Sequence, residues 1–214
     1  MFPLKIIDIS MAIHPAMPVY KNRDENRPLL QITRDFLNSS ARESEITMNL
    51  HTGTHLDTSL HFVPDGAAVE ELSLDRVVTP CTVLDMTHVN DAVTASDLER
   101  HSIKPGDFVL LKTRNSFTEA FDFHFVFLRE DGAKWLQQAG VKGVGIDALG
   151  IERDQPEHGT HKTLLRAGIV ILEGLRLGHV EPGAYLLSAA PLQIKGAEAA
   201  PVRALLIQDA PKIE

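Results

Sequence analysis

The chain has 214 residues, with 29 Asp and Glu against 21 Lys and Arg, ten His and a single Cys. A formal charge of -8 is the opposite of a nucleic-acid binder's basic footprint. One Cys excludes a disulfide framework and any cysteine-only metal site. With 43% hydrophobic and 23% charged residues the composition is globular, not disordered. The apolar run 169–172 falls far short of the ~20 residues that span a bilayer. The first ten residues, MFPLKIIDIS, lack the long apolar core of a signal peptide. These features predict one cytoplasmic domain over 1–214 with neither nucleic acid nor membrane as partner.

In chain order, β-branched runs predict strands over 5–9, 30–33 and 46–50. Within the segment 11–30, residues 20–28 (YKNRDENRP) are strongly polar; they read as a solvated loop, with a substrate lid or subunit-contact arm as the sharper alternative. Turn residues at Pro64-Asp65-Gly66 precede a strand over 79–86. Cys81 in that strand reads as a packed core thiol rather than a nucleophile. A Thr-capped helix is expected over 94–101, a turn at 104–107 and a strand over 108–113. Next comes an aromatic run, 121–127, containing His124 and suited to core or subunit interface. A helix over 129–139 ends at Gly140, and a strand covers 143–147. A helix over 160–167, with Thr160 as its cap candidate, stops at Gly168. Strands follow over 169–173, 184–188 and 202–208. Many strands with interspersed helices define a mixed α/β class.

The segment His51-Thr-Gly-Thr-His55-Leu-Asp57-Thr-Ser-Leu-His61 places three His and one Asp at odd positions within eleven residues. Odd positions share a face in an extended chain, but full extension would hold His51 and Asp57 ~20 Å apart, too far for one ion. The chain must curl, and Gly53 best permits it. A helix would also group these residues by fours, but Thr52, Gly53, Thr54 and Thr58 disfavour one. The expectation is therefore a strand, 46–50, running into a bent loop. A lone His is usually a surface or hydrogen-bonded core residue; four potential ligands at this spacing point instead to a metal site. Imidazole and carboxylate without thiolate suit Zn²⁺, Mn²⁺ or Fe²⁺.

A second cluster spans His158 to Glu173. The helix 160–167 rises ~10 Å and the following strand returns ~15 Å, which brings His161 and Glu173 to the same end. At the helix N-terminus His161 is expected neutral, the form that binds metal. Glu173 ends an apolar run, where burial would demand a cation; the plain alternative is a surface strand end. His158, three residues before His161, could reach the site but reads more simply as a loop residue, and His14, His88, His101 and His179 read as surface or structural. No G-x-S-x-G elbow, Walker A or H-E-x-x-H motif is present, and Gly143-Val-Gly145 lacks the third glycine of a dinucleotide loop.

HTGTHLDTSLHF resembles the His-x-Gly-Thr-His-x-Asp-x-Pro-x-His signature of the cyclase-like metal-dependent hydrolases, a family that includes bacterial kynurenine formamidase and isatin hydrolase. DIS at 8–10, MPVY at 17–20, GDFVLLKT at 106–113, GVGIDALGIE at 143–152 and HKTLLRAGIVILEGL at 161–175 resemble its other blocks, so the likeness covers nearly the whole chain. The resemblance implies a swivelling β/β/α-type α/β fold, a homodimer or homotetramer, and one or two divalent ions, Zn²⁺ or Mn²⁺. It implies His51, His55 and Asp57 at a first metal, and His161 and Glu173 with a bridging Asp57 at a second. It also implies His61 as catalytic acid/base and Tyr20 lining the substrate pocket. The expected activity is hydrolysis of a small-molecule amide, arylformamide or cyclic amide or imide. The alternatives are a catalytically silent metal-binding or sensing protein of the same fold, and a structural module whose His residues only pack. Two positions depart from the pattern. Ser59 replaces the signature Pro, and Tyr20-Lys21-Asn22-Arg23 stands where kynurenine formamidases carry Trp-Pro-Gly-Asp, so the pocket wall differs.

Overall fold

Consecutive apolar residues, rather than alternating ones, mark strands buried on both faces. Phe108–Lys112, Gly143–Ile146 and Val170–Glu173 are of this kind, and every residue in them is buried. They lie at the middle of the sheet in the computed structural model, which describes residues 4–209. The strands are β1 (Leu4–Asp8), β2 (Leu29–Arg34), β3 (Glu43–Thr47), β4 (His55–Asp57), β5 (Val78–Asp85), β6 (Ala92–Val93), β7 (Phe108–Lys112), β8 (Phe127–Leu128), β9 (Gly143–Ile146), β10 (Val170–Glu173), β11 (Gly183–Ser188), β12 (Ala199–Pro201) and β13 (Leu205–Asp209). The helices are α1 (Ala95–Leu98), α2 (Glu130–Ala139) and α3 (Gly159–Arg166).

Nine strands form one mixed sheet in the order β1-β13-β11-β5-β7-β9-β10-β4-β12. The pairs β5/β7, β7/β9 and β9/β10 are parallel; the pairs outside them are antiparallel. Alternate residues of β7 feed two cores. Val109 and Leu111 pack with Leu136, Leu164 and Leu165 of the helices, while Phe108 and Leu110 pack with Leu172, Leu187 and Leu206 on the other face. The expected α/β class is the observed one. Cys81 lies in the second core, and burial pushes its thiol up to about 12. No helix among the described residues is long and apolar enough to cross a membrane.

Several boundaries differ from expectation, each for a tertiary reason. The strand expected at 46–50 ends at Thr47 and pairs only with β2, in a hairpin apart from the main sheet. His55–Asp57, expected as loop, is a fully buried strand clamped between β10 and β12. Neither His-Leu-Asp nor Ala-Ala-Pro has strand propensity; burial and pairing impose it. The helix expected over 94–101 is a single turn, α1. Thr160 is not the cap of α3; that place is taken by His158, and Thr160 Oγ1 donates to the Leu128 carbonyl at 2.8 Å.

Loop junctions hold the strand ends together. Asp147, just past β9, accepts from Thr113 N–H (2.8 Å), Thr113 Oγ1 (2.6 Å) and Ser116 Oγ (2.6 Å), which ties the end of β9 to the end of β7. Burial lifts its pKa to about 6 against those donors. Gly53 adopts φ 73°, as the required curl demands, and Gly174 adopts φ 67° directly against it. Thr54 Oγ1 donates to the Gly174 carbonyl at 2.6 Å and accepts from Met11 N–H at 2.8 Å.

This approach yields a stability test. A Cβ on Gly174 would stand 2.2 Å from the Gly53 carbonyl oxygen, a backbone atom with no rotamer to yield. Gly174→Ala is expected to cost at least ~2 kcal/mol from the clash and the left-handed φ together, read as a lower midpoint in urea or thermal denaturation.

Candidate metal centre

The C-terminal ends of parallel strands are where open α/β sheets collect ligands, and here β9 and β10 end beside the start of antiparallel β4. Register does the first part of the assembly. Glu173 lies directly opposite His55 across β10 and β4, and Ile171 opposite Asp57. Side chains alternate along a strand, so His55 and Asp57 project to the face that also carries Glu173. The curl at Gly53 then returns His51 to the same point, and the turn Ser59–His61 brings back His61.

Asp57 is the hub. His51 Nδ1 stands 3.1 Å and His55 Nε2 3.5 Å from its Oδ1, while His161 Nε2 is 3.9 Å from its Oδ2. Glu173 faces both outer imidazoles, with Oε2 3.3 Å from His55 Nε2 and Oε1 3.3 Å from His161 Nε2. Donors sharing one ion at ~2.1 Å stand about 3.4 Å apart in a tetrahedral shell, which is the spacing seen here. His55 Nε2 and both Asp57 oxygens are buried without a hydrogen-bond partner. Leaving such atoms unsatisfied costs ~1–3 kcal/mol each, so the cluster has the chemistry of a cation site. All five residues expected as ligands lie in one neighbourhood: Asp57 groups with His51 and His61 and also with His55 and Glu173, while His161 groups with Glu152 and His158 and reaches Glu173 and Asp57 at 3.3 and 3.9 Å.

The imidazoles are held from behind. His55 Nδ1 lies 2.9 Å from the Gly53 carbonyl, an arrangement that leaves Nε2 as the inward atom. His51 Nε2 contacts Glu198 Oε1 at 3.2 Å. His161 Nδ1 lies 2.8 Å from Glu152 Oε1, without the alignment of a full hydrogen bond. Glu152 also receives Thr160 N–H at 2.9 Å and stands 2.7 Å from His158 Nδ1, so one carboxylate caps α3 and braces two imidazoles. Neither Glu152 nor Glu198 is signalled by the sequence, because both lie in loops without hydrophobic periodicity.

Burial opposes a charge on His55 and on His161, but the neighbouring carboxylates outweigh it. Asp57 and Glu173 hold His55 up to about 9, and Glu152, Glu173 and Asp57 hold His161 up to about 10. With no cation bound, carboxylates within 4 Å outweigh the partial charge of the helix terminus at His161. The same contacts keep Glu173 well below the usual carboxylate range in spite of burial, and Glu152 below it too. His61 goes the other way. Burial, reinforced by the charges of His51 and His161, lowers its pKa, with Asp57 opposing. Its ring centroid lies 4.2 Å from that of His51, tilted by 35°, and 4.3 Å from that of Phe62, edge-on, and it forms one possible ligand group with His51 and Asp57.

A cavity of about 350 Å³ opens beside the cluster, lined by Tyr20, Arg23, His61, Phe62, His158 and Glu173 among others. Tyr20 is therefore on the wall, edge-on to Phe121 at 5.4 Å, and burial raises its hydroxyl pKa. Residues 20–28 form two short turns beside that wall; 21–25 are exposed, as a solvated loop would be, while Tyr20, Arg23 and Asn26 line the cavity. Thr52 Oγ1 donates to the Asn26 carbonyl at 3.0 Å, and Arg27 Nη1 to the Met17 carbonyl at 2.6 Å. His158, expected as a bland loop residue, lines the same cavity through its tie to Glu152. His124 does not line the cavity.

With this geometry in hand, comparison with known proteins is direct. A family model described as "Putative cyclase" matches residues 7–153. A kynurenine formamidase of Salinibacter ruber is 36% identical over 211 residues, covering 97% of this chain and 99% of that protein. A solved structure described as a "Potential Metal-Dependent Hydrolase With Cyclase Activity" superposes with a TM-score of 0.91 at 48% identity, covering 98% of this chain and 100% of the other. Isatin hydrolase A from Labrenzia aggregata superposes at 0.85 with 24% identity over 97% of this chain and 94% of its own, a likeness of fold alone. A match over more than half the residues, on a chain whose sheet gathers the motif's side chains around Asp57, makes this protein a member of the cyclase family.

Proposed function

We propose that the protein is a metal-dependent hydrolase of a small-molecule amide, acting on a non-peptide C–N bond of an arylformamide or cyclic amide. The observation that carries this reading is the set of buried, unpartnered donors on His55 and Asp57, opening onto a cavity beside the half-buried His61. The kinship with a kynurenine formamidase supports the bond type. His51, His55 and Asp57 would hold one divalent ion and His161, Glu173 and Asp57 a second, with Zn²⁺ or Mn²⁺ suited to these nitrogen and oxygen donors. When bound, the metal supplies Lewis acidity, lowering the pKa of water towards ~7 and polarising the substrate carbonyl.

The chain's own residues do the rest. His61 shares a possible ligand set with His51 and Asp57, but it is only half-buried and lines the cavity, a place from which a proton carrier can reach a substrate. Its lowered pKa favours the neutral ring, which can accept a proton from water and pass it to the departing nitrogen. Tyr20 and Phe62 offer an aromatic wall for a flat substrate ring.

The test is an assay on formanilide-type amides and cyclic imides, before and after chelation and metal restoration. Activity should vanish with the metal and return with Zn²⁺ or Mn²⁺. His61→Ala should lower kcat ~10²–10⁴-fold while metal content by atomic spectroscopy stays that of the parent. Full activity in that variant would remove His61 from the mechanism; metal retention with no turnover on any amide would leave a binding or sensing protein.

Glu152 braces His161, so Glu152→Ala should weaken metal affinity ~10–100-fold, measured by competition with a fluorescent chelator. Unchanged affinity would reduce Glu152 to a helix cap.

A homodimer or homotetramer is the expected assembly. Its support is the β2–β3 hairpin, exposed on both faces, with Leu29, Leu30, Ile32 and Ile46 each about half accessible. Isolated hairpins are marginal in water, so these side chains need cover. Light scattering should give two or four times the chain mass, and Leu30→Glu with Ile46→Glu should reduce it.

A further inference from the structure

The cavity's two ends differ in charge. Its inner end holds Glu152 and Glu173, both committed to imidazoles. Its outer wall holds Arg23, the one Lys or Arg among the described lining residues. Two turns close on Arg23: its N–H donates to the Tyr20 carbonyl at 3.4 Å, and its carbonyl accepts from Asn26 N–H at 3.0 Å. Asn26 is in turn anchored by Thr52, next to His51. The backbone beneath Arg23 is thus fixed relative to the donor cluster.

Its guanidinium is uncommitted. The adjacent Asp24 is taken by Arg27 at 2.9 Å, and Arg23 forms no ion pair with any described residue. Asp154, whose charge reaches Tyr20, lies outside the lining. Lys21, outside the lining like Asp154, places its Nζ 5.4 Å from the Tyr20 ring centroid. A guanidinium offers a planar fork of donors matched to a carboxylate. Among the described lining residues no carboxylate is left uncommitted to receive a substrate ammonium.

Building on the amide-hydrolase reading, we infer that Arg23 is a specificity residue that selects net-anionic amides, substrates carrying a carboxylate and no ammonium. The carboxylate sits at the Tyr20 wall, paired with Arg23, while the scissile amide reaches the cluster beside His61. A zwitterionic amino-acid amide such as N-formylkynurenine brings an ammonium that the rim repels.

The test compares 2-, 3- and 4-formamidobenzoate with neutral formanilide and zwitterionic N-formylkynurenine, using the metal-loaded protein. The best formamidobenzoate should exceed both others at least tenfold in kcat/KM. Arg23→Gln should shrink the anionic-to-neutral ratio at least fivefold, Arg23→Lys should recover part of it, and 0.5 M salt should narrow it. A parent that prefers formanilide or N-formylkynurenine, or a ratio unmoved in Arg23→Gln, overturns the inference. Binding separates this from failure of the amide-hydrolase reading. If no amide is turned over, calorimetry with the matching aminobenzoate still decides, because its dissociation constant must rise at least fivefold in Arg23→Gln. An unchanged constant sinks the role of Arg23 whatever the reaction.

Discussion

Two carboxylates, Asp57 and Glu173, end neighbouring buried strands, and charge removed from water has to be neutralised where it stands. This constraint organises the rest. Imidazoles from three separate segments, 51–55, 61 and 161, converge on the pair. These carboxylates raise His55 and His161 above the ordinary imidazole value. A divalent cation would answer the same need for positive charge.

The sheet makes that convergence rigid. Parallel β9 and β10 deliver the loop 147–152 and Glu173 to one end, and antiparallel β4 starts there, so one end of three paired strands carries most of the donors. The Gly53–Gly174 approach locks the β4 entry against the β10 exit. Asp147 ties in the end of β7. Braces from Glu152, Glu198 and the Gly53 carbonyl then limit how each ring can turn. Precision at the centre comes from backbone pairing.

Much of the site was legible in contiguous residues. His51, His55, Asp57 and His61 announce themselves by number and spacing, and Gly53 by the need to curl. His161 and Glu173 follow from the lengths of one helix and one strand. The strand character of His55–Asp57 was not legible, because none of its residues favours extended structure and only its buried partners impose it. Glu152 and Glu198 were invisible for a related reason: their roles depend on side chains that meet them across long stretches of sequence.

The wall at 20–28 shows the same division from the opposite side. Its polarity reads as solvent exposure, and 21–25 are exposed; Thr52–Asn26 and Arg27–Met17 contacts also dock the segment, so that Tyr20, Arg23 and Asn26 form one side of a cavity. By itself the sequence determined the donor chemistry, the α/β class and the family, because these reside in residue type, spacing and short-range pattern. Only the tertiary structure decided which strands pair, which carboxylates brace which rings, and which cation faces the cavity. Those outcomes depend on burial and register between distant segments, where an energy gained at one residue is set by another far along the chain.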